Sequence, residues 1–225
     1  MHGFPSGPGG VKAVLRGFPE LADRIAQAMG WTALCFAFRG CGPSGGSFSL
    51  AGWLEDAVAA VGWLVEQHRP DGVWLVGFGT GGAIAVCAAA RRVDVRGVAA
   101  CGSPADFDEW AAHPRRVLEH ARELGLVREA GFPQAFDSWA RAFREVRAVR
   151  CAREIRDRAM LVLHGADDDL VPSLDARLLA EEHGSAELRI VEGAGHGLRH
   201  DPRGVAILLG WLARQHGTWP SPGWE

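Results

Sequence analysis

Short apolar runs alternate along the chain with longer stretches in which apolar residues recur every three or four positions. The runs at 32–38, 73–78, 95–101, 160–164 and 186–191 predict strands. The spacing between them predicts helices. Over 19–30, Leu21, Ile25 and Met29 share a face and Gly30 ends the pattern. Over 50–68, Trp53, Leu54, Ala57, Val61, Leu64 and Val65 line one side. The Ala-rich stretch 83–90, the segment 173–183 with Ser173 as N-cap, and 202–216 complete the set. Strands alternating with helices predict an α/β architecture, a doubly wound and mostly parallel sheet covered on both faces. Residues 104–158 break the rhythm. They carry two amphipathic patterns and are too long for one crossover helix, so they predict a small helical cap insertion over the strand ends. The rest reads as a single domain spanning 1–225, with a loose tail from 217 onward.

The pattern is centred on 73–90. There an apolar run ends in Gly77-Phe78-Gly79-Thr80-Gly81-Gly82 and passes straight into a helix former. Two chemistries use such a strand–turn–helix. The dinucleotide fingerprint G-x-G-x-x-G is matched by Gly77, Gly79 and Gly82. The nucleophile elbow G-x-S-x-G is matched by Gly77 and Gly81, with Gly79 where the serine belongs.

Composition narrows the partners. A formal net charge of −3 gives no reason to expect nucleic acid or an anionic membrane. Lys12 is the sole lysine, so Arg carries the positive charge. No apolar run approaches the length of a membrane span, and no signal peptide is present. The five cysteines, Cys35, Cys41, Cys87, Cys101 and Cys151, form no C-x-x-C pair and read as buried reduced thiols of a cytoplasmic protein. No metal site and no cofactor is expected beyond what the elbow could hold. The expected partner is a small-molecule substrate or ligand.

Ligands of such sheets bind beyond the carboxyl ends of the strands, which directs attention to the loops there. They are His2-Gly3-Phe4, Arg39-Gly40-Cys41-Gly42-Pro43-Ser44, the elbow, His164-Gly165-Ala166-Asp167-Asp168-Asp169-Leu170-Val171-Pro172, and Gly193-Ala194-Gly195-His196. Elbow, acid and histidine follow one another in the chain order of an α/β-hydrolase triad. With R-G-x-G-x-S, the elbow, H-G-x-x-D-x-x-V-P and G-x-x-H in this order, the sequence resembles the α/β-hydrolase family, nearest its esterase- and acylpeptidase-like branches. The resemblance implies Asp168 as the acid and His196 as the base. It implies the backbone N–H groups of Phe4 and Thr80 as the oxyanion hole. His2 and His164 are read as structural, bonding loop backbone, and Ser103 as a candidate displaced nucleophile. In the family the His-Gly loop follows a central strand, whereas only Met1 precedes it here. The resemblance therefore implies that the first strands are missing and that the natural start lies upstream of Met1.

Gly79 is the departure from the family. A glycine is at ease at the positive φ of the elbow but supplies no hydroxyl. Three functions follow. The first is a hydrolase-lineage protein acting on ester- or amide-type small molecules, its activity weak or altered. The second is a non-catalytic small-molecule binder or interaction protein that keeps the pocket. The third is nucleotide binding through Gly77, Gly79 and Gly82, which leaves the other motifs unexplained.

Overall fold

A computed structural model describes residues 1–5 and 10–218. The central run forms strand β1 (Val73–Phe78), followed in sequence by β2 (Val95–Cys101), β3 (Ala159–Gly165) and β4 (Glu187–Val191). The four pair in the order β1-β2-β3-β4, all parallel. Register is set by pairs such as Leu75 with Val98, Val98 with Met160, and Val162 with Leu188. Strands β1, β2 and β3 read as nearly continuous apolar runs because both faces are covered, whereas β4 at the sheet edge alternates apolar and charged residues. Val73, Leu75, Val98, Ala100, Met160 and Val162 pack into one core cluster. Phe78, Ala99, Cys101, Leu161 and Leu163 pack into a second.

Helices α1 (Gly10–Ala13), α2 (Phe18–Met29), α3 (Leu50–His68) and α4 (Thr80–Arg91) accompany the first half of the sheet. Helix α4 is buried over nearly its whole length, which its Ala-rich sequence permits because small side chains let it lie close to β1 and β2. Between β2 and β3 come α5 (Asp108–Ala112), α6 (Pro114–Glu123), α7 (Phe136–Glu145) and α8 (Ala148–Glu154). Helix α9 (Ser173–His183) joins β3 to β4, and α10 (Pro202–Thr218) packs on α2 and β3 at the second face. Residues 6–9 and 219–225 lie outside the described residues; of the tail expected to be loose from 217 onward, Gly217 and Thr218 belong to α10 and the rest falls outside them.

Several expectations need correction. The run 32–38 is not a strand: residues 31–38 carry no hydrogen-bonded secondary structure, and 32–35 are exposed. An apolar run becomes a strand only where a neighbour supplies the ladder, and this segment is separated from β1 by an open slot. Among the described residues, Met1 stands where the expected preceding strand would pair. Its amino group donates to the Val76 carbonyl at 2.6 Å, and its carbonyl accepts from the Phe78 N–H at 3.1 Å. Ser173 is not the N-cap of α9: Pro172 takes that position and no side chain caps the helix. Of the cysteines, Cys41, Cys87 and Cys101 are buried as expected, while Cys35 is exposed and Cys151 half-buried. Among the described residues no helix is long and apolar enough to cross a membrane.

Candidate active site

Gly79 sits between β1 and α4 with φ 55° and ψ −130°. The turn is tight because its flanking glycines allow it. A Cβ on Gly77 would collide with the Gly81 carbonyl, and one on Gly81 with the carbonyl of His2. The His2-Gly3 backbone is thereby packed into the elbow. A Cβ on Gly3 would lie 2.8 Å from the Phe78 carbonyl oxygen and 3.4 Å from the Thr80 nitrogen. This packing speaks against the nucleotide-binding reading: a Cβ on Gly77 would meet the Gly81 backbone, one on Gly79 the His196 ring and one on Gly82 the Ser103 side chain, so protein atoms crowd the glycines a pyrophosphate would approach.

The loop is anchored by His2. Its Nε2 accepts from the Phe38 N–H at 3.1 Å and its Nδ1 donates to the Gly3 carbonyl at 2.9 Å. Burial, chiefly, lowers the pKa of this ring to about 4, so it is neutral. Phe4 follows, and its ring packs edge-on against Phe48 and Trp110, each at 5.1 Å between centroids. Thr80 is buried at the first turn of α4, where backbone N–H groups have no intrahelical acceptor.

The loops after β3 and β4 bring Asp168 and His196 together. Asp168 Oδ2 lies 2.8 Å from His196 Nδ1. Its Oδ1 accepts from the N–H groups of Leu170 at 3.0 Å and Val171 at 2.9 Å. Burial would raise the pKa of this carboxyl, but the His196 contact and the two amides outweigh it, and the net shift is downward. A carboxylate at Oδ2 fixes Nδ1 as the protonated nitrogen and leaves Nε2 with its lone pair. Nε2 points at the elbow, 3.2 Å from the position a Cβ on Gly79 would occupy.

Two nearby residues have roles that sequence reasoning missed. Gly102, at φ 56°, follows β2. A Cβ there would lie 3.4 Å from Asp168 Oδ2 and 3.5 Å from His196 Nδ1, so its bare backbone makes room for the pair. The signal was a glycine directly after a strand that neighbours the elbow. His164, read as structural, does bond backbone, with Nε2 2.9 Å from the Val171 carbonyl, but it is also 3.5 Å from Asp168 Oδ2. Ser103 is not at the site's reactive edge: it is buried against Gly82, and its Oγ donates to the Pro104 carbonyl at 3.2 Å. Arg39 of the R-G-x-G-x-S loop is bound by Asp56 of α3 through its backbone N–H at 2.9 Å and its guanidinium at 2.7 Å. That motif holds a loop in place. Among the described residues no group of three or more His, Cys, Asp or Glu side chains could hold a metal ion.

Residues 1–207 match the sequence model of the Alpha/beta hydrolase family. The chain belongs to that family. Its fold is similar to that of an esterase from Pyrococcus furiosus, at 18% identity and a TM-score of 0.65 over 90% of this chain and 77% of that one. It is also similar to Est1E from Butyrivibrio proteoclasticus, solved with ferulic acid bound, at 19% identity and a TM-score of 0.73 over 97% and 88% of the two chains. A hydrolase-like protein from Agrobacterium tumefaciens is 21% identical with a TM-score of 0.60, covering 94% and 83%. No curated protein matches the sequence.

Proposed function

We propose that this protein is a hydrolase-lineage catalyst for small ester- or amide-type substrates that works without a serine nucleophile. In this reading His196 is a general base held by Asp168, and its substrate is a water lodged beside Gly79. His196 Nε2 takes a proton from that water, and the hydroxide attacks the acyl carbon. The oxyanion that forms is held by the N–H groups of Phe4 and Thr80. The protonated imidazole then returns its proton to the leaving group as the tetrahedral species collapses. The observation that carries the reading is the aim of His196: Nε2 is 3.2 Å from where a side chain at 79 would begin, while Nδ1 is engaged by Asp168 at 2.8 Å. Without a covalent intermediate the rate is low, because losing a triad serine costs about 10⁶-fold in known cases and leaves about 10³–10⁴ over water.

The helices of 104–158 act here as a cap. Trp110 of α5 lies against Phe4, in the loop that supplies an oxyanion donor. Trp139 and Phe143 of α7 are buried and serve packing. Est1E binds ferulic acid, which makes small aromatic acyl esters the first panel to try.

The test is turnover of 4-nitrophenyl acetate and of methyl ferulate by the native chain beside His196→Gln. The reading predicts slow turnover by the native chain and at least about a tenfold loss in the variant. Equal rates would favour the second reading, a non-catalytic small-molecule binder, which the missing hydroxyl at Gly79 supports.

A further inference from the structure

Arg199 stands three residues after His196, on a single 3₁₀ turn (Leu198–His200). The Leu198 N–H donates back to the His196 carbonyl at 2.8 Å, which keeps the turn close to the base. The Arg199 guanidinium lies over the ring of Phe18, 5.1 Å from its centroid, at the amino end of α2. The Phe18 ring packs in turn against His2 and Phe78, at 6.3 Å and 5.7 Å between centroids. Those two residues adjoin Gly3 and Gly79. The position a Cβ on Gly79 would take is 3.2 Å from His196 Nε2 and 3.8 Å from Gly3 Cα. The loops that border the reacting position therefore also border Arg199.

This cation has nothing to balance it. Arg203, in the same segment, is paired with Asp201 at 2.7 Å, and Asp168 is engaged by His196 and two amides. Among the described residues Arg199 forms no ion pair, and its Nε is buried without a hydrogen-bond partner. The face of the Phe18 ring attracts a cation but cannot accept the in-plane N–H bonds of a guanidinium. The partial positive charge at the amino end of α2 disfavours a cation there. Desolvation lowers the guanidinium pKa from its ordinary value, and no acid offsets it. The residue as a whole is half-buried, so a ligand can reach it.

The chemistry of the missing partner follows from the donor. A guanidinium presents parallel N–H groups in one plane, the match for a carboxylate. The nearby histidines add no second charge. His2 is neutral, and burial, followed by the charge of Arg199, holds His200 below its ordinary pKa. One cation calls for one anionic charge. We propose that Arg199 binds a carboxylate of the substrate, so that the ester or amide hydrolysed is one that also carries a free acid group. This names the substrate class for the function proposed above and rests on its placing the substrate beside Gly79.

The probes are N-methyladipamic acid and its longer-chain homologues, each beside the corresponding neutral N,N′-dimethyl diamide. Calorimetry on the native chain gives affinity without turnover. The best acid should bind at least about tenfold more tightly than its diamide, the scale of one charge-assisted contact. Arg199→Gln should erase that difference. Arg199→Lys, which keeps the charge and loses the planar fork, should fall between the two. In turnover, the ratio of kcat/KM for 4-nitrophenyl hydrogen adipate over that for 4-nitrophenyl hexanoate should drop at least about tenfold in Arg199→Gln, through KM. Equal binding of acid and diamide by the native chain would overturn the inference, as would unchanged acid binding by Arg199→Gln. Tighter binding of methyl phosphate than of the acid would overturn the choice of carboxylate. Acid binding that Arg199→Gln removes, with no turnover of either ester, would support the inference and sink the catalysis proposed above. Turnover of both esters with no preference between them would do the reverse. If Arg199→Gln fails to fold, Arg199→Lys and the acid–diamide comparison on the native chain decide.

Discussion

At residue 79 the backbone holds φ 55° and ψ −130°, where an L side chain is strained by about 1–3 kcal/mol. Glycine is free of that strain, and in the proposed function it also stands where a nucleophile would. The role of its neighbours was legible unevenly. That Asp168 and His196 would meet could be expected from the sequence because two strand-end loops in a fixed order converge at one edge of a parallel sheet. The spacing alone did not separate Asp168 from Asp167 and Asp169; the family motif did. Gly102 was not legible, because its role arises from a strand pairing that brings residues 102, 168 and 196 together from distant parts of the chain. The pair itself yields a prediction. In a Gly79→Ser background, Asp168→Asn should reverse the preferred His196 tautomer and lower ester turnover by about 10⁴-fold, with little change in KM. A loss confined to KM would place Asp168 in substrate binding instead. Gly102→Ala adds a strained Cβ against both partners, and it should lower turnover while also lowering the melting temperature.

Elements were legible where their partners exist. Helix α3 runs over the predicted 50–68 because its apolar stripe meets α4 and the sheet. Residues 32–38 have strand composition but no ladder, and composition does not report whether a neighbour pairs with them. The His2-Gly3-Phe4 loop reads as irregular, yet His2 fastens it to the end of that segment through Phe38. This gives a pH prediction whose sign follows from the lowered pKa. His2 is neutral in the folded state down to about pH 4 but protonates near 6.5 when unfolded. Its contribution is therefore complete above pH 6.5 and is lost as pH falls toward 4, by up to about 3 kcal/mol. Protonation puts a hydrogen on Nε2 facing the Phe38 N–H. Thermal melts of the native chain should decline over this window, and His2→Gln should flatten the decline; parallel curves would remove His2 from the account.

For the whole molecule, the alternation of strands and helices led to the parallel α/β sheet because β1, β2 and β3 bury side chains on both faces and the helices between the strands cover them. The placement of 104–158 needed the tertiary contacts of Trp110 and Trp139 with the loops around Phe4 and Phe48, which no local pattern encodes. The proposed function rests on one claim: that an oxyanion loop, a base and an acid stand assembled around an elbow that lacks only a hydroxyl. The most direct measurement is hydrolysis of 4-nitrophenyl acetate by Gly79→Ser beside Gly79→Ala. A Cβ at 79 starts 3.2 Å from His196 Nε2, so the ring must give by a few tenths of an ångström in either variant. Both should lose about 1–3 kcal/mol of stability. The account predicts that the serine variant alone gains activity, at least about 10²-fold over alanine, with a burst of acylated enzyme. A folded serine variant with no more activity than the alanine one would contradict it.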